Sequence, residues 1–335
     1  MTRGNPFPPR SLRPIHRAPK WGDRIFFGLT LLGALGLAAV IIAMVVSLVH
    51  GALPAFYQIN FDSFLFGHIW NPDGCLPPPI GFGPCSYGAL PFIVGTLVTS
   101  AIALLIAIPL ALGAAIFLTQ HAPLWMREPV AQIIQLLAAV PSVVYGFWAL
   151  IVLVPIMATD VNPVLAQNLG WTGLFGGPHN TGLDVLTASL VLSIMTIPTI
   201  TAISRDAMEA VPRSQKEAAI SLGATPWEVT RRAVVPYSRS GIIAGIVLGL
   251  GRALGETMAV TMTIGNRDAI PTSLFSQGQT IASLFANEFT EAISPLEIPA
   301  LIEMALLLLG ICLAINIGAR LVLARLQLGG RTTTE

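Results

Sequence analysis

Six long apolar runs, separated by short polar stretches, set the pattern of this chain. They cover residues 25–49, 92–118, 133–157, 185–203, 242–264 and 300–323. Each is near the roughly 20 residues an α-helix needs to cross a bilayer. A soluble helical core does not fit runs this long and this uncharged. The pattern predicts an all-α membrane protein with six transmembrane helices. Pro109, Pro141 and Pro198 fall one apiece inside the second, third and fourth runs. Proline kinks a helix and frees a carbonyl, which membrane proteins tolerate where neighbours or a cavity satisfy the backbone. Three kinked spans in a row suit a transport path, although such kinks also occur in spans without that role.

Composition agrees with the pattern. Of 335 residues 54% are apolar and only 10% charged, where a soluble protein carries about a quarter. The net charge of +1 gives no field that would attract nucleic acid, and none is expected as a partner; membrane lipid is. All but Arg252 and Arg267 of the 18 basic residues fall before the first run, between the second and third, between the fourth and fifth, or at the end of the sixth and beyond. Residues 50–90 and 158–184 contain no Lys or Arg. The positive-inside rule therefore puts both termini in the cytoplasm. The first run exceeds the 7–15 apolar residues of a cleavable signal, so it reads as an uncleaved anchor.

The expected organisation is a disordered tail over 1–24, an anchor helix over 25–49, an outer loop over 50–90, a core over 91–325 and a tail over 326–335. A cytoplasmic loop at 205–239 interrupts the core. The loop 158–184 is rich in Gly and Asn and carries no further signal. Cys75 and Cys85 share the first outer loop with Pro77, Pro78, Pro79 and Pro84. They form either a disulfide, which an oxidising outer compartment favours, or two unpaired thiols. Cys312 reads as apolar filler, and the scattered histidines fit no zinc spacing. The long loop at 71–85 has no evident role.

The loop at 205–239 holds two helix-start signals. Ser214 and Glu217 have capping-box spacing, predicting a helix from Gln215 that ends at a left-handed Gly223. Thr225, Pro226 and Glu228 repeat the signal, with hydroxyl cap, proline at the first helical position and glutamate at the third. An elbow of two short helices follows, and helices so short need a docking surface to hold them. The pattern Glu217-Ala218-Ala219-x3-Gly223-x9-Ala233-Val-Val-Pro236 resembles the EAA loop of ABC importer permeases, with Ala233 and Val235 replacing that family's usual Ile and Leu. The resemblance implies that Lys216, Glu217, Ala218, Ala219, Gly223, Ala224 and Thr225 meet an ATPase subunit, Glu217 pairing with a basic residue there. The alternative is an ordinary cytosolic loop. The only lysines, Lys20 and Lys216, close no GxxxxGK[ST] loop. No ATP site is expected in this chain, nor any cofactor or enzymatic activity; ATP and magnesium would sit in the partner ATPase.

Arg252 and Glu256 fall inside the fifth run. Counted from Ser240, Arg252 is about 18 Å into the bilayer, where an arginine costs from about 3 to more than 10 kcal/mol. On a continuous helix the two side chains meet at i,i+4 spacing. Gly241, Gly245, Gly249, Arg252, Glu256, Ala259 and Thr263 would then share a stripe about 80° wide, with small residues for close helix approach. The pair either lines a permeation route or is an ion pair that fixes helix register.

A second resemblance enters here. The segment Arg252-Ala-Leu-Gly-Glu-Thr-Met-Ala-Val260 with Gly265-Asn266, the segment Ala139-Val-Pro-Ser-Val-Val-Tyr-Gly146 and the segment Arg205-Asp-Ala-Met-Glu-Ala-Val-Pro-Arg213 resemble the C-type permeases of phosphate-importing Pst systems. The likeness runs from about residue 88 to 325. It implies a type I ABC importer permease (MetI-like) core preceded by one extra N-terminal helix, in a bacterial inner membrane. It also implies a second, A-type permease subunit, an ATPase dimer and an external phosphate-binding protein. Arg252, Glu256, Thr257, Asn266 and Ser142 are the expected substrate-path residues. Import of molybdate or sulfate, or phosphate sensing, remain as alternatives.

Overall fold

The computed structural model describes residues 20–75, 85–177 and 181–328. Among the described residues six helices are long and apolar enough to cross a membrane. The described residues from Lys20 to His50 form a unit of their own. They belong to α1 (Lys20–Gln58), whose side chains are exposed along nearly all of this stretch. A helix that is apolar all round and buries nothing in protein is suited to lipid. It starts before residue 25 and continues past residue 49, so the expected outer loop begins later than the apolar run suggested. Most of the 1–24 tail and the end of the 326–335 tail lie outside the described residues.

From Gly51 onward the second unit begins. After α2 (Phe61–Phe66), strands β1 (Trp70–Asn71) and β2 (Ser86–Tyr87) pair antiparallel, Trp70 opposite Tyr87. Cys75 and Cys85 are joined by a disulfide that closes this hairpin; residues 76–84 of the proline-rich loop lie outside the described residues. Trp70 meets Tyr87 and Phe92 edge-on at 5.2 and 5.6 Å. Its indole N–H donates to Glu288 Oε2 at 2.6 Å. Edge-to-face rings and a satisfied indole fasten the hairpin across the ends of the spans.

The second span is α3 (Leu90–Ile116), extended by a π-helical turn to His121. A separate helix, α4 (Leu124–Ala139), follows. The third span is Ser142–Thr172, built from α5 (Ser142–Trp148), α6 (Val154–Ile156) and α7 (Asn162–Leu169) with π-helical turns between them. The fourth is α8 (Val185–Glu209), which packs along α3 and α11. Its apolar stretch is 67% buried, against 33% or less for the other spans, so α8 is the central helix. Ser189, Ser193 and Thr196 bond back to their own helix, as Ser189 Oγ to the Val185 carbonyl at 2.6 Å and Thr196 Oγ1 to that of Leu192 at 3.0 Å, and Thr201 Oγ1 reaches the Ala111 carbonyl of α3 at 3.3 Å. This satisfies polar groups where no water reaches. The elbow contains α9 (Arg213–Ser221) and α10 (Pro226–Val229). After α11 (Val235–Leu254) come α12 (Met258–Thr261), α13 (Ile281–Glu288) and the last span, in α14 (Glu297–Leu328).

Three sequence expectations change. The run 133–157 is not one helix. Val140 and Pro141 are extended, with ψ of 130° and 140°, because proline disfavours helical geometry in the residue before it. Pro141 therefore divides α4 from α5 instead of kinking a span; Pro109 and Pro198 do lie inside their helices. The third span in turn consumes half of the expected 158–184 loop. It is held there by Asn162, whose Nδ2 donates to Asp184 Oδ2 at 2.7 Å, while Asp184 Oδ1 accepts from Thr187 N as the N-cap of α8. Burial raises the Asp184 carboxyl above its usual range, against these hydrogen bonds. The fifth helix, finally, stops at Leu254 rather than near 264.

Candidate functional site

A broken helix holds three of the expected substrate-path residues, Arg252, Glu256 and Thr257. Gly255 ends α11, and Glu256 and Thr257 lie between it and α12. Arg252 stands in the last turn of α11, where the negative end of the helix dipole favours a cation. Glu256 precedes α12, and its Oε1 accepts from Ala259 N at 3.4 Å. The i,i+4 argument required a continuous helix. With the helix broken, Arg252 Nη1 donates instead to Thr199 Oγ1 on α8 at 3.2 Å. Among the described residues the two ion pairs are Arg205–Glu209 and Arg232–Glu228, so the expected Arg252–Glu256 pair is not formed.

The glycines of the proposed stripe do face a helix. Gly241, Gly245 and Gly249 lie against Ala207, Ile203 and Ile200 of α8, which brings α11 close along its length. The break itself rests on α5. A Cβ at Gly146 would lie 2.9 Å from both Ala259 Cα and Met262 Sδ. Ser142, four residues earlier and so on the same face of α5, is half-buried. Thr257 Oγ1 is bonded to the Gly255 carbonyl at 3.3 Å. Asn266 adopts a left-handed φ of 50° and is exposed; its amide caps the Thr261 carbonyl at 2.9 Å. That geometry makes Asn266 the residue that closes the segment after α12.

Arg252 also lines a cavity of about 620 Å³, together with Thr199, Val247, Leu248, Asn316 and Arg320. Sequence reasoning passed over Thr199, Asn316 and Arg320. All three were detectable as polar side chains within apolar runs, but nothing local tied any of them to Arg252.

The elbow is the second place where polar chemistry concentrates. Gly223 adopts a φ of 83°, which a residue with a Cβ rarely takes. Thr225 and Glu228 form a complete capping box, Thr225 N donating to Glu228 Oε2 at 3.0 Å and Glu228 N to Thr225 Oγ1 at 3.4 Å. The first box is absent. Pro212 precedes α9, which starts at Arg213, so Ser214 is already inside the helix and caps nothing. Nor is the second piece short. From α10 through a π-helical turn at 230–234 into α11, Pro226–Leu254 is one span, about 43 Å long. One rod thus joins the elbow to Arg252.

The elbow residues divide between two faces. Glu217, Ala218, Gly223 and Thr225 are exposed, beside Leu222 at 90% and Trp227 at 58% exposure. Ala219 and Ala224 turn inward onto Met208, Val211, Val229 and Val234. Lys216 is half-buried at a cavity with Gln120, His121 and Thr230. Burial, with Arg127 and Arg213 nearby, lowers its ammonium below the usual lysine range, opposed in part by Glu209. Among the described residues no group of three or more His, Cys, Asp or Glu is placed to hold a metal.

Comparison with known proteins bears on this arrangement. Residues 107–328 match the family described as binding-protein-dependent transport system inner membrane component. The "Phosphate transport system permease protein PstC" of Mesorhizobium japonicum is 43% identical, with 91% of each chain covered. The protein of that name from Haemophilus influenzae is 43% identical over 92% of this chain and 95% of its own. That of Xylella fastidiosa is 45% identical over 90% of both. Among solved structures, a bacterial ABC transporter involved in import of the acidic polysaccharide alginate has a chain with a TM-score of 0.57. It is 17% identical, over 94% of this chain and 99% of that one. A chain of the inward-facing MetNI methionine ABC transporter gives 0.51 at 14% identity, over 70% and 96%. Those identities speak for the fold alone. With a profile match over most of the sequence and relatives above 40% identical across nine tenths of it, the chain belongs to the binding-protein-dependent inner membrane components, the multi-pass permease subunits of ABC importers, and among them to the PstC permeases.

Proposed function

We propose that this permease subunit moves inorganic phosphate inward, forming half of the translocation path with a second, A-type permease. An ATPase dimer holding ATP and magnesium would dock on the elbow, and an external binding protein would deliver phosphate at the hairpin end. In this reading both termini and the elbow face the cytoplasm, and the chain itself carries no cofactor and catalyses no reaction. The observation that carries the proposal is the break at 255–257, which leaves Arg252 at a cavity without an acidic partner. Broken helices near mid-membrane are a recurrent way for transporters to present charged groups and backbone dipoles to substrate. The guanidinium offers a fork that matches phosphate oxygens. Glu256, held at the start of α12, can accept a hydrogen bond from protonated phosphate, which fully ionised sulfate cannot donate.

The elbow supports the coupling half of the proposal. Leu222 and Trp227 are large apolar side chains exposed beside charged Glu217, a combination suited to a protein partner. Movement of that partner would travel along the rod from Thr225 to Arg252. The test is phosphate uptake by the assembled complex in vesicles. Arg252→Gln is expected to abolish uptake while the complex still assembles and hydrolyses ATP. Unimpaired uptake would end the proposal, and competition by molybdate or sulfate at equal concentration would reassign the substrate.

A further inference from the structure

The cavity beside Arg252 contains a second cation that the phosphate reading does not use. Arg320 lies on α14 and lines the same space of about 620 Å³ as Arg252, with Thr199 and Asn316 between apolar walls from Val247 and Leu248. No carboxylate lines it, and neither arginine belongs to an ion pair among the described residues. The Asn316 amide donates to the Cys312 carbonyl at 2.8 Å. Among the described residues the Arg252 guanidinium makes one side-chain hydrogen bond, to Thr199, of the five N–H groups it can donate. Arg320 is exposed toward the far end of α14, whereas Arg252 is half-buried, and an arginine without counter-charge inside a membrane is a costly arrangement. An anion in the cavity that both arginines line would lower the cost at Arg252.

The two cations are also staggered. Arg252 ends the rod at the side away from the elbow. Arg320 comes about six turns after Glu297 on α14, which begins at the hairpin end, where the Tyr87 hydroxyl donates to Ser294 Oγ at 3.5 Å. An anion moving from the hairpin side to the elbow side would meet Arg252 first and Arg320 second. We infer that Arg320 is the inner contact of a two-arginine site for a phosphate-type oxyanion, shared with Arg252 and lying between the fifth and sixth spans. The inference rests on the permease reading above. The oxyanion has two sources with one chemistry, free phosphate in transit or the phosphate group of an anionic lipid.

The experiment uses the whole transporter, purified with its partner subunits. Phosphate uptake is measured in vesicles of phosphatidylcholine alone, and bound phosphatidylglycerol is measured by mass spectrometry of the complex. Arg320→Gln is expected to lower uptake about tenfold, the scale of one lost charged hydrogen bond, with ATP hydrolysis and assembly retained and with Arg320→Lys recovering part of it. That result assigns free phosphate. Loss of bound phosphatidylglycerol with normal uptake in neutral vesicles assigns the lipid phosphate. A variant that matches the unsubstituted protein in both measurements overturns the inference. Failure of the phosphate reading would instead appear as full uptake in Arg252→Gln, whatever Arg320→Gln does.

Discussion

Gly146 offers the sharpest test of how the broken helix is held. A methyl group there would stand 2.9 Å from Ala259 Cα and 3.4 Å from the Met258 carbonyl oxygen, and 2.9 Å from Met262 Sδ. The sulfur can swing aside, but the two backbone atoms belong to α12 and cannot move without carrying the helix. Gly146→Ala must therefore push α12 off α5 and shift Glu256 and Thr257, which join α12 to α11. Forced overpacking of this kind costs about 1–3 kcal/mol, equivalent to about a 5- to 150-fold change in an equilibrium between working and displaced arrangements. Gly249→Ala is the matched control. Its methyl would also come close, 2.7 Å from Ile200 Cγ1 and 2.9 Å from Cδ1, yet these are atoms of one side chain, whose displacement does not carry a helix backbone with it. The assay is initial-rate phosphate uptake in vesicles, normalised to assembled complex, with the thermal midpoint of the purified complex measured alongside. Gly146→Ala should lose most uptake and lower the midpoint, and Gly249→Ala should retain most of both. Equal uptake in the two variants, or a larger loss in Gly249→Ala, would refute the claim that α5 positions the break.

Two further outcomes are expected. Thr225→Ala removes the cap that begins the rod, a loss of about 1 kcal/mol, and should reduce phosphate moved per ATP hydrolysed without abolishing either activity; an unchanged ratio would count against transmission along Pro226–Leu254. Glu288 is pushed up from 4.5 to about 7 by burial, against the Trp70 hydrogen bond and reinforced by Asp268, Glu297 and Asp73. Because the folded protein holds this proton more tightly, the stability it contributes is complete below the unfolded value and is lost as pH rises through the folded one. Protection of the amides around Trp70, taken relative to their intrinsic exchange rate at each pH, should thus fall between about pH 4.5 and 7, and Glu288→Gln, still able to accept from the indole, should flatten that dependence.

The elbow and the break differ in how far they could be read from local sequence. Gly223 and the Thr225 cap were legible because a left-handed glycine and a Thr-Pro-x-Glu start are set by residues within one turn of each other. The competing start at Ser214 had the same spacing, but Pro212 already opens a helix at Arg213 and leaves the hydroxyl inside it. The inward turn of Ala219 and Ala224 was not legible either. It depends on Met208 and Val234 from neighbouring helices, while the motif treats all its residues as one surface.

What the chain alone determined is the number of spans, their membrane character and the family, since about 20 consecutive apolar residues and a charge-poor composition permit little else. Tertiary structure decided where those helices stop. A proline in an apolar run can kink or break it, and Pro141 breaks because α5 finds a separate place against α12 and α8. Gly255 ends α11 because Arg252 has Thr199 across the interface and α12 has the groove left by Gly146. These contacts join residues far apart in sequence, so no local pattern could separate Arg252 from Glu256 or place Arg320 beside it.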